Sequence, residues 1–177
     1  VGEKIMIRKL QPSERNIILE IINEAAIAYK GVIPDDRWKE PYMSSGELRN
    51  EIESGVKFYG YEREGNLVGI SGIQTVRDKT LIRHTYVLTK FQRRGIGGKL
   101  IEYLINLAKS EEILVGTWAD AAWAIRFYEK HGFRLVSQEE KDRLLREYWN
   151  VPERQVDTSV VLRLRKQPMV DTENFYK

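Results

Sequence analysis

The 177-residue chain contains no cysteine. Disulfides, thiolate metal sites and a cysteine nucleophile are therefore excluded, and a reducing, cytoplasmic setting is the expectation. Histidine occurs only twice, and no metal site is expected. Long apolar runs are also missing: none approaches the length of a membrane-crossing helix, so no membrane association is expected. The N-terminal stretch Val1 to Lys9 alternates and carries charges, which does not fit a secretory signal. Charge of one sign is scarce as well. The net charge is +3, and no nucleic-acid partner is expected, because such binders concentrate far more positive charge on one face.

What is present is the balance of an ordinary globular protein, with 42% hydrophobic and 31% charged residues. Residues 4–10 alternate as a strand, and Ser13 stands ready to cap the helix that follows. Ile18, Ile22, Ala26 and Tyr29 share one face of that helix, which Gly31 ends. Residues 31–45 are irregular. Ser44 and Glu47 form a capping-box pattern for a short helix stopped by Gly55. Strands are expected over residues 56–63, 67–76 and 80–89, then a helix over 95–110 with Leu100, Leu104, Leu107 and Ala108 on one face. A strand over 113–118, a helix over 121–130 closed by Gly132, and a strand over 133–136 follow. Ser137 and Glu140 open another helix, and residues 159–165 alternate as the last strand. The expectation is one α/β domain of the α+β type over residues 1–166, with a C-terminal tail over 167–177. Its central sheet is mixed, mostly antiparallel, of about seven strands flanked by helices.

The chemically informative stretch runs from Val87 to Leu100 and joins a strand to a helix. Three glycines, Gly95, Gly97 and Gly98, lie at the helix start. The first amides of a helix have no partner inside it, and the helix dipole adds partial positive charge there. An anion can sit on such an end. Between Lys90 and Lys99 four basic residues occur and no acid. This is a phosphate cradle on physical grounds. A nucleotide-triphosphate loop would need Ser or Thr after Gly98-Lys99 and a glycine at Arg93; the chain has Leu100 and Arg93. A dinucleotide fingerprint would need its third glycine at Leu100.

The pattern of Gln92, Gly95 and Gly97, preceded by Tyr86-Val87, resembles the pyrophosphate loop of the GNAT superfamily of acetyl-CoA-dependent N-acetyltransferases. Downstream, Ala124 to Phe133 (AIRFYEKHGF) resembles that family's second signature, and the order of elements matches over roughly residues 4–165. The resemblance implies fourth and fifth strands that splay apart around the pantetheine arm of acetyl-CoA. It implies backbone contacts from Val87, Leu88 and Thr89, with an N–H of Val87 or Leu88 on the thioester carbonyl. Gln92, Arg93, Arg94, Gly95, Ile96, Gly97, Gly98 and Lys99 would wrap the pyrophosphate, and Phe127 and Tyr128 would complete the cofactor site. For Arg93 and Arg94 a solvated surface pair is the competing role. Tyr128 aligns with the tyrosine that protonates the departing thiolate, against a plain core role.

Two departures stand out. The family's asparagine contact falls on Ala121, and the carboxylate base of the fourth strand falls near Leu81, with no acid between Thr80 and Thr89. His84 is then the nearest candidate base. Strict alternation would put it on the opposite face from Thr85, so a structural role competes. The resemblance implies an acceptor site walled by Tyr29, Trp38, Tyr42 and Trp118, with Asp35, Asp36 and Glu40 close in sequence and suited to a cationic amine; packed core aromatics with surface acids are the competing role. Asp120 is read as the cap of the helix from Ala121. The implied reaction is direct attack, in a ternary complex, by a primary amine of a small molecule or peptide. Acetylation of a protein N-terminus or lysine, and non-catalytic acyl-CoA sensing, are the alternatives. The block from Leu144 to Val161 either closes the acceptor pocket or forms a homodimer surface.

Overall fold

The computed structural model describes residues 2–167, so the tail expected over 167–177 lies outside the described residues beyond Gln167. Strand β1 (Ile5–Lys9) leads through a short turn into α1 (Arg15–Ala25). Ser13 does not cap α1. It sits inside a 3-10 turn, Pro12–Glu14, whose entry is closed by the Glu14 carboxylate accepting the Gln11 N–H at 2.7 Å. Pro12 fixes φ for that tighter turn and displaces the cap to Gln11. Helix α2 (Ser45–Glu53) starts as its capping box dictates: Glu47 N–H donates to Ser44 Oγ at 3.2 Å, and Ser44 N–H donates to Glu47 Oε2 at 2.7 Å. Such a cap contributes roughly 1 kcal/mol.

Strands β2 (Lys57–Arg63), β3 (Asn66–Val76) and β4 (Lys79–Val87) form an antiparallel meander. Helix α3 (Ile96–Leu107) crosses to β5 (Glu112–Trp118), and α4 (Ala122–Lys130) leads to a two-residue strand β6 (Arg134–Leu135). Helix α5 (Gln138–Leu144) runs on as one π turn (Leu145–Trp149), followed by α6 (Glu153–Asp157) and β7 (Ser159–Arg165). Helix α3 ends three residues before the expected Ser110, because Ala108 turns extended, with ψ 131°; Leu107 is then 41% exposed rather than on the buried face. Asp120 does not cap α4: Ala121 holds that position, without a side-chain bond. Ser137 does cap α5, accepting from Glu140 N–H at 3.2 Å.

The seven strands follow the order β1-β2-β3-β4-β5-β7-β6. Only β4 and β5 are parallel. Alternation divides the core. Ile82, Ile113, Val115 and Leu162 pack with Ile101 and Leu104 of α3, whereas Leu81, Leu114 and Val161 pack with Leu144, Leu145 and Val156 beyond α4. Each such buried side chain contributes about 1.5–3 kcal/mol relative to exposure. Helices α1 and α2 cover Phe58 and Ile70.

The site is created where this sheet opens. Pairing of β4 with β5 covers Lys79–Ile82 against Glu112–Val115 and then stops, while β5 stays with β7 through Trp118. The fourth and fifth strands therefore diverge. On the other edge of β4, Ile70 pairs with Tyr86 and Gly72 with Arg83, so His84 and Thr85 together oppose Ser71. That is a β-bulge, which adds twist and bends the strand that carries it.

Candidate active site

The opening between β4 and β5 ends in a cavity of about 130 Å³. Its walls come from the elements named above. Arg83, His84, Thr85 and Tyr86 enter from the bulged end of β4, Thr117 and Trp118 from β5, and Tyr128 from α4. Tyr29 and Tyr42 come from the region between α1 and α2, and Trp149, Val151 and Gln155 from the α5–β7 connection. The bulge explains why His84 and Thr85 share this space despite being adjacent: His84 has φ +58°, which breaks the two-residue period. A non-glycine residue there is strained and is characteristic of functional sites.

Burial pushes the Tyr128 phenol above its ordinary range, and a hydrogen bond with the Thr85 hydroxyl works the other way. Thr85 Oγ1 in turn meets Ser71 Oγ at 2.8 Å. Tyr29 and Tyr86 are also pushed up, each chiefly by burial. All three phenols therefore keep their protons at neutral pH. Trp38 does not reach the cavity; it stacks behind Tyr42 at 5.8 Å between ring centres. The acids expected near the acceptor are held elsewhere. Asp36 accepts two bonds from Arg154, at 3.0 and 3.1 Å, and Glu40 pairs with Lys30 at 2.9 Å. Asp35 is exposed and does not line the cavity. The carboxylate that does approach is Glu51 of α2, whose Oε2 lies 2.9 Å from His84 Nε2.

On the donor side, the three backbone positions differ. Leu88 N–H donates to Val68 O at 2.9 Å, so it is engaged in the sheet. Thr89 begins a 3-10 turn, and its N–H is directed at the Glu24 carboxylate, at 3.1 and 3.3 Å. Gly69 and Val87 face each other with Leu88 bonding past them, which makes them a non-hydrogen-bonded pair. The N–H and C=O of Val87 consequently point away from β3, into the opening. The carbonyl accepts Gln92 Nε2 at 3.0 Å, and of the candidate amides Val87 N–H is the one directed at the gap.

The helix start behaves as its glycines require. Gly95 is the N-cap of α3, with φ +78°, and the first turn has neither a side-chain cap nor an acid. Its amides are thus open to an anion. Arg93 precedes it with φ +61°. Arg93, Arg94 and Lys99 are exposed, and Lys90 and Arg94 lie 5.2 and 5.6 Å from the centre of the Phe91 ring. Among the described residues none of these four cations forms a salt bridge. A Cβ at Gly98 would lie 2.9 Å from His131, so this glycine also makes room for the end of α4, whereas a Cβ at Gly97 would make an ordinary contact with Phe127 at 3.4 Å. Phe127 accordingly stands edge-on to Tyr128 at 5.1 Å and to His131 at 5.0 Å, behind the loop, and Ile96 is buried. An open helix end, unpaired cations and a strand gap with a free amide suit a diphosphate joined to an extended arm, which is the shape of acetyl-CoA.

Sequence reasoning missed Glu51 and Thr85, which depend on the bulge and on α2 folding back, and neither has a local signal. Trp149 and Gln155 belong to the block read as closing the pocket or forming a dimer surface, and both line the cavity; the π turn places Trp149 against Gly116, where an added Cβ would lie 3.4 Å from its ring.

Comparison with known proteins agrees with this geometry. The family described as acetyltransferase (GNAT) domain matches residues 21–146. The peptidyl-lysine N-acetyltransferase YiaC of Escherichia coli (strain K12) is 28% identical over 133 residues, covering 74% of this chain and 84% of its own. The PaiA N-acetyltransferase of Thermoplasma acidophilum, solved with coenzyme A, superposes with a TM-score of 0.69 at 19% identity, over 92% of this chain and 99% of its own. N-acetylglutamate synthase of Neisseria gonorrhoeae, solved with coenzyme A and N-acetyl-glutamate, gives 0.64 at 21% identity, over 94% of this chain and 36% of its own. With a family match across most of the sheet and its opening, the chain belongs to the GNAT acetyltransferases and is an acetyl-CoA-dependent acyltransferase.

Proposed function

We propose that the chain acetylates the primary amine of a small molecule by direct attack in a ternary complex. The observation that carries this reading is the small cavity at the open end of β4, which Tyr128 and His84 both line. A volume of about 130 Å³ admits an amine and its nearest carbons. Its walls combine aromatic rings with the hydroxyls of Thr85 and Thr117 and the amide of Gln155 and, among the described residues, include no acid, so the amine would be held by ring faces and polar side chains.

Acetyl-CoA supplies an acetyl group activated as a thioester. Residues of this chain do the rest. The α3 start with Gln92, Arg93, Arg94, Gly95 and Lys99 holds the diphosphate, and Val87 N–H orients the acyl end. Tyr128 keeps a proton on Oη for the leaving sulfur: its raised pKa keeps it protonated at neutral pH, above an ordinary thiol near 8.5. His84 accepts the proton of the attacking amine. The absence of cysteine rules out an acyl-cysteine intermediate.

A second reading, transfer to a lysine or N-terminal amine of a polypeptide, is favoured by the likeness to the E. coli peptidyl-lysine enzyme. A panel of amines with acetyl-CoA, followed by thiol release, separates the two. Turnover is expected with small aromatic or alkyl primary amines. Turnover with folded proteins and with none of the small amines would overturn the proposal.

A further inference from the structure

We propose that Glu51 is a positioning residue for the transfer reaction: its carboxylate fixes the ring of His84 so that Nδ1 is presented to the acceptor amine. This rests on the reading of His84 as the base.

The geometry begins with the bulge. His84 occupies φ +58° opposite Ser71, so its side chain leaves the normal alternation of β4. A residue so placed needs its neighbours to hold it. Glu51 Oε2 takes the Nε2 edge of the imidazole at 2.9 Å. Glu51 Oε1 is fixed separately by Arg83 Nη2 at 3.1 Å, and Arg83 Nη1 is held by Gln74 Oε1 at 3.2 Å. Phe58 stacks under the ring, 6.1 Å between centres and 27° between planes. The imidazole is thereby fixed at one edge and one face.

The chemistry follows from which nitrogen is used. A carboxylate only accepts, so the neutral imidazole carries its hydrogen on Nε2 and leaves its lone pair on Nδ1. Among the described residues Nδ1 has no protein partner and is not sealed from solvent, and His84 lines the cavity. Burial would raise the Glu51 carboxyl, but the hydrogen bond from His84 and the charges of His84 and Arg83 outweigh it and hold it below its usual range. Glu51 is therefore an anion whenever the enzyme works. When Nδ1 takes the amine proton, that anion faces the imidazolium that forms, the same logic by which a carboxylate supports histidine in hydrolytic triads.

A mere counterion to Arg83 would have the same contacts on Oε1, so the test must read the His84 side. The full-length chain is labelled with ¹⁵N-histidine. It holds only two histidines, and H131A assigns them. With coenzyme A present, His84 is expected to show one protected N–H, on Nε2, that disappears in E51A. In thiol-release kinetics with acetyl-CoA and 2-phenylethylamine as the probe amine, E51A and the isosteric E51Q are expected to lose about 10- to 100-fold in kcat, by analogy with the partners that orient a metal-bound imidazole. KM for acetyl-CoA should stay unchanged. The E51A/H84A double variant should be no slower than H84A, because the two act as one unit. E51Q preserves shape and decides the matter if E51A folds poorly. Wild-type kcat in E51Q, a multiplicative loss in the double variant, or a protected Nε2–H that survives E51A would each overturn the assignment. If wild type releases no thiol with any amine, the transferase reading fails instead, and the Nε2–H signal alone decides whether Glu51 positions the ring.

Discussion

Replacing Tyr128 by Phe separates catalysis from folding, because the structure sets the two costs far apart. The ring is 9% exposed and stands edge-on to Phe127 at 5.1 Å and to Phe133 at 5.8 Å; Phe keeps all of that packing. What is lost is the hydroxyl and its bond with Thr85, and Thr85 keeps its partner Ser71 at 2.8 Å. A neutral hydrogen bond contributes about 0.5–1.5 kcal/mol, and no buried group is orphaned by the change. For a chain of this size that corresponds to a fall in Tm of about 1–6 °C. Loss of a general acid costs about 10²- to 10⁴-fold in rate. At about 1.4 kcal/mol per factor of ten, that is roughly 3–5 kcal/mol of barrier, well beyond the folding effect. Thiol release should therefore drop by that factor in kcat, while a thermal melt and calorimetric binding of coenzyme A barely change. A Y128F enzyme with undiminished kcat would refute the role given to this hydroxyl, and so would a loss that merely tracks the folded fraction.

Three further outcomes follow from other parts of the molecule. Gly95→Ala meets open space but must hold φ +78°, at a cost of about 1–2 kcal/mol; coenzyme A affinity should fall about tenfold by calorimetry, with the fold intact in circular dichroism. Trp149→Ala removes a cavity wall that faces Gly116, so bulkier amines should become substrates in the thiol-release panel while the rate with the smallest ones changes least. Glu14 is held below the usual carboxylate range first by its hydrogen bond from Arg8 and then by Gln11 N–H. Its contribution is present above its unfolded value near 4.5 and is lost as pH falls through the lower folded value. In urea unfolding Glu14→Gln should therefore destabilise at pH 7, by under about 1 kcal/mol because the pair is partly exposed, and converge on wild type once the pH has fallen below the folded value.

Much of this fold is written in local signals. The Ser44–Glu47 pair marks α2, Gly132 marks the end of α4, and the two-residue period of residues 159–165 marks β7, since each depends only on neighbours along the chain. The glycine-rich helix start was legible for the same reason. The bulge at His84 and Thr85 was not, because it exists only relative to Ser71 on β3. Gly98 reads as part of the phosphate cradle, and the room it also leaves for His131, some thirty residues on, has no local signal. Glu51 lies in a short helix, and no pattern in the sequence singles it out. Its partner His84 is 33 positions away, and nothing in the local pattern joins them. The acids Asp36 and Glu40 misled in the opposite sense. Proximity in sequence to aromatic residues suggested an acceptor site, whereas Arg154, arriving from α6, and Lys30 take them away from it.

The central claim is that main-chain amides at the start of α3 grip a diphosphate and so seat a thioester between β4 and β5. Calorimetric titration of the full-length chain with coenzyme A tests it most directly. The account predicts saturable binding of one molecule per chain, weakened on raising the salt concentration because four exposed cations contribute. A titration with no heat, and no shift in melting temperature at the highest soluble concentration of coenzyme A, would contradict it.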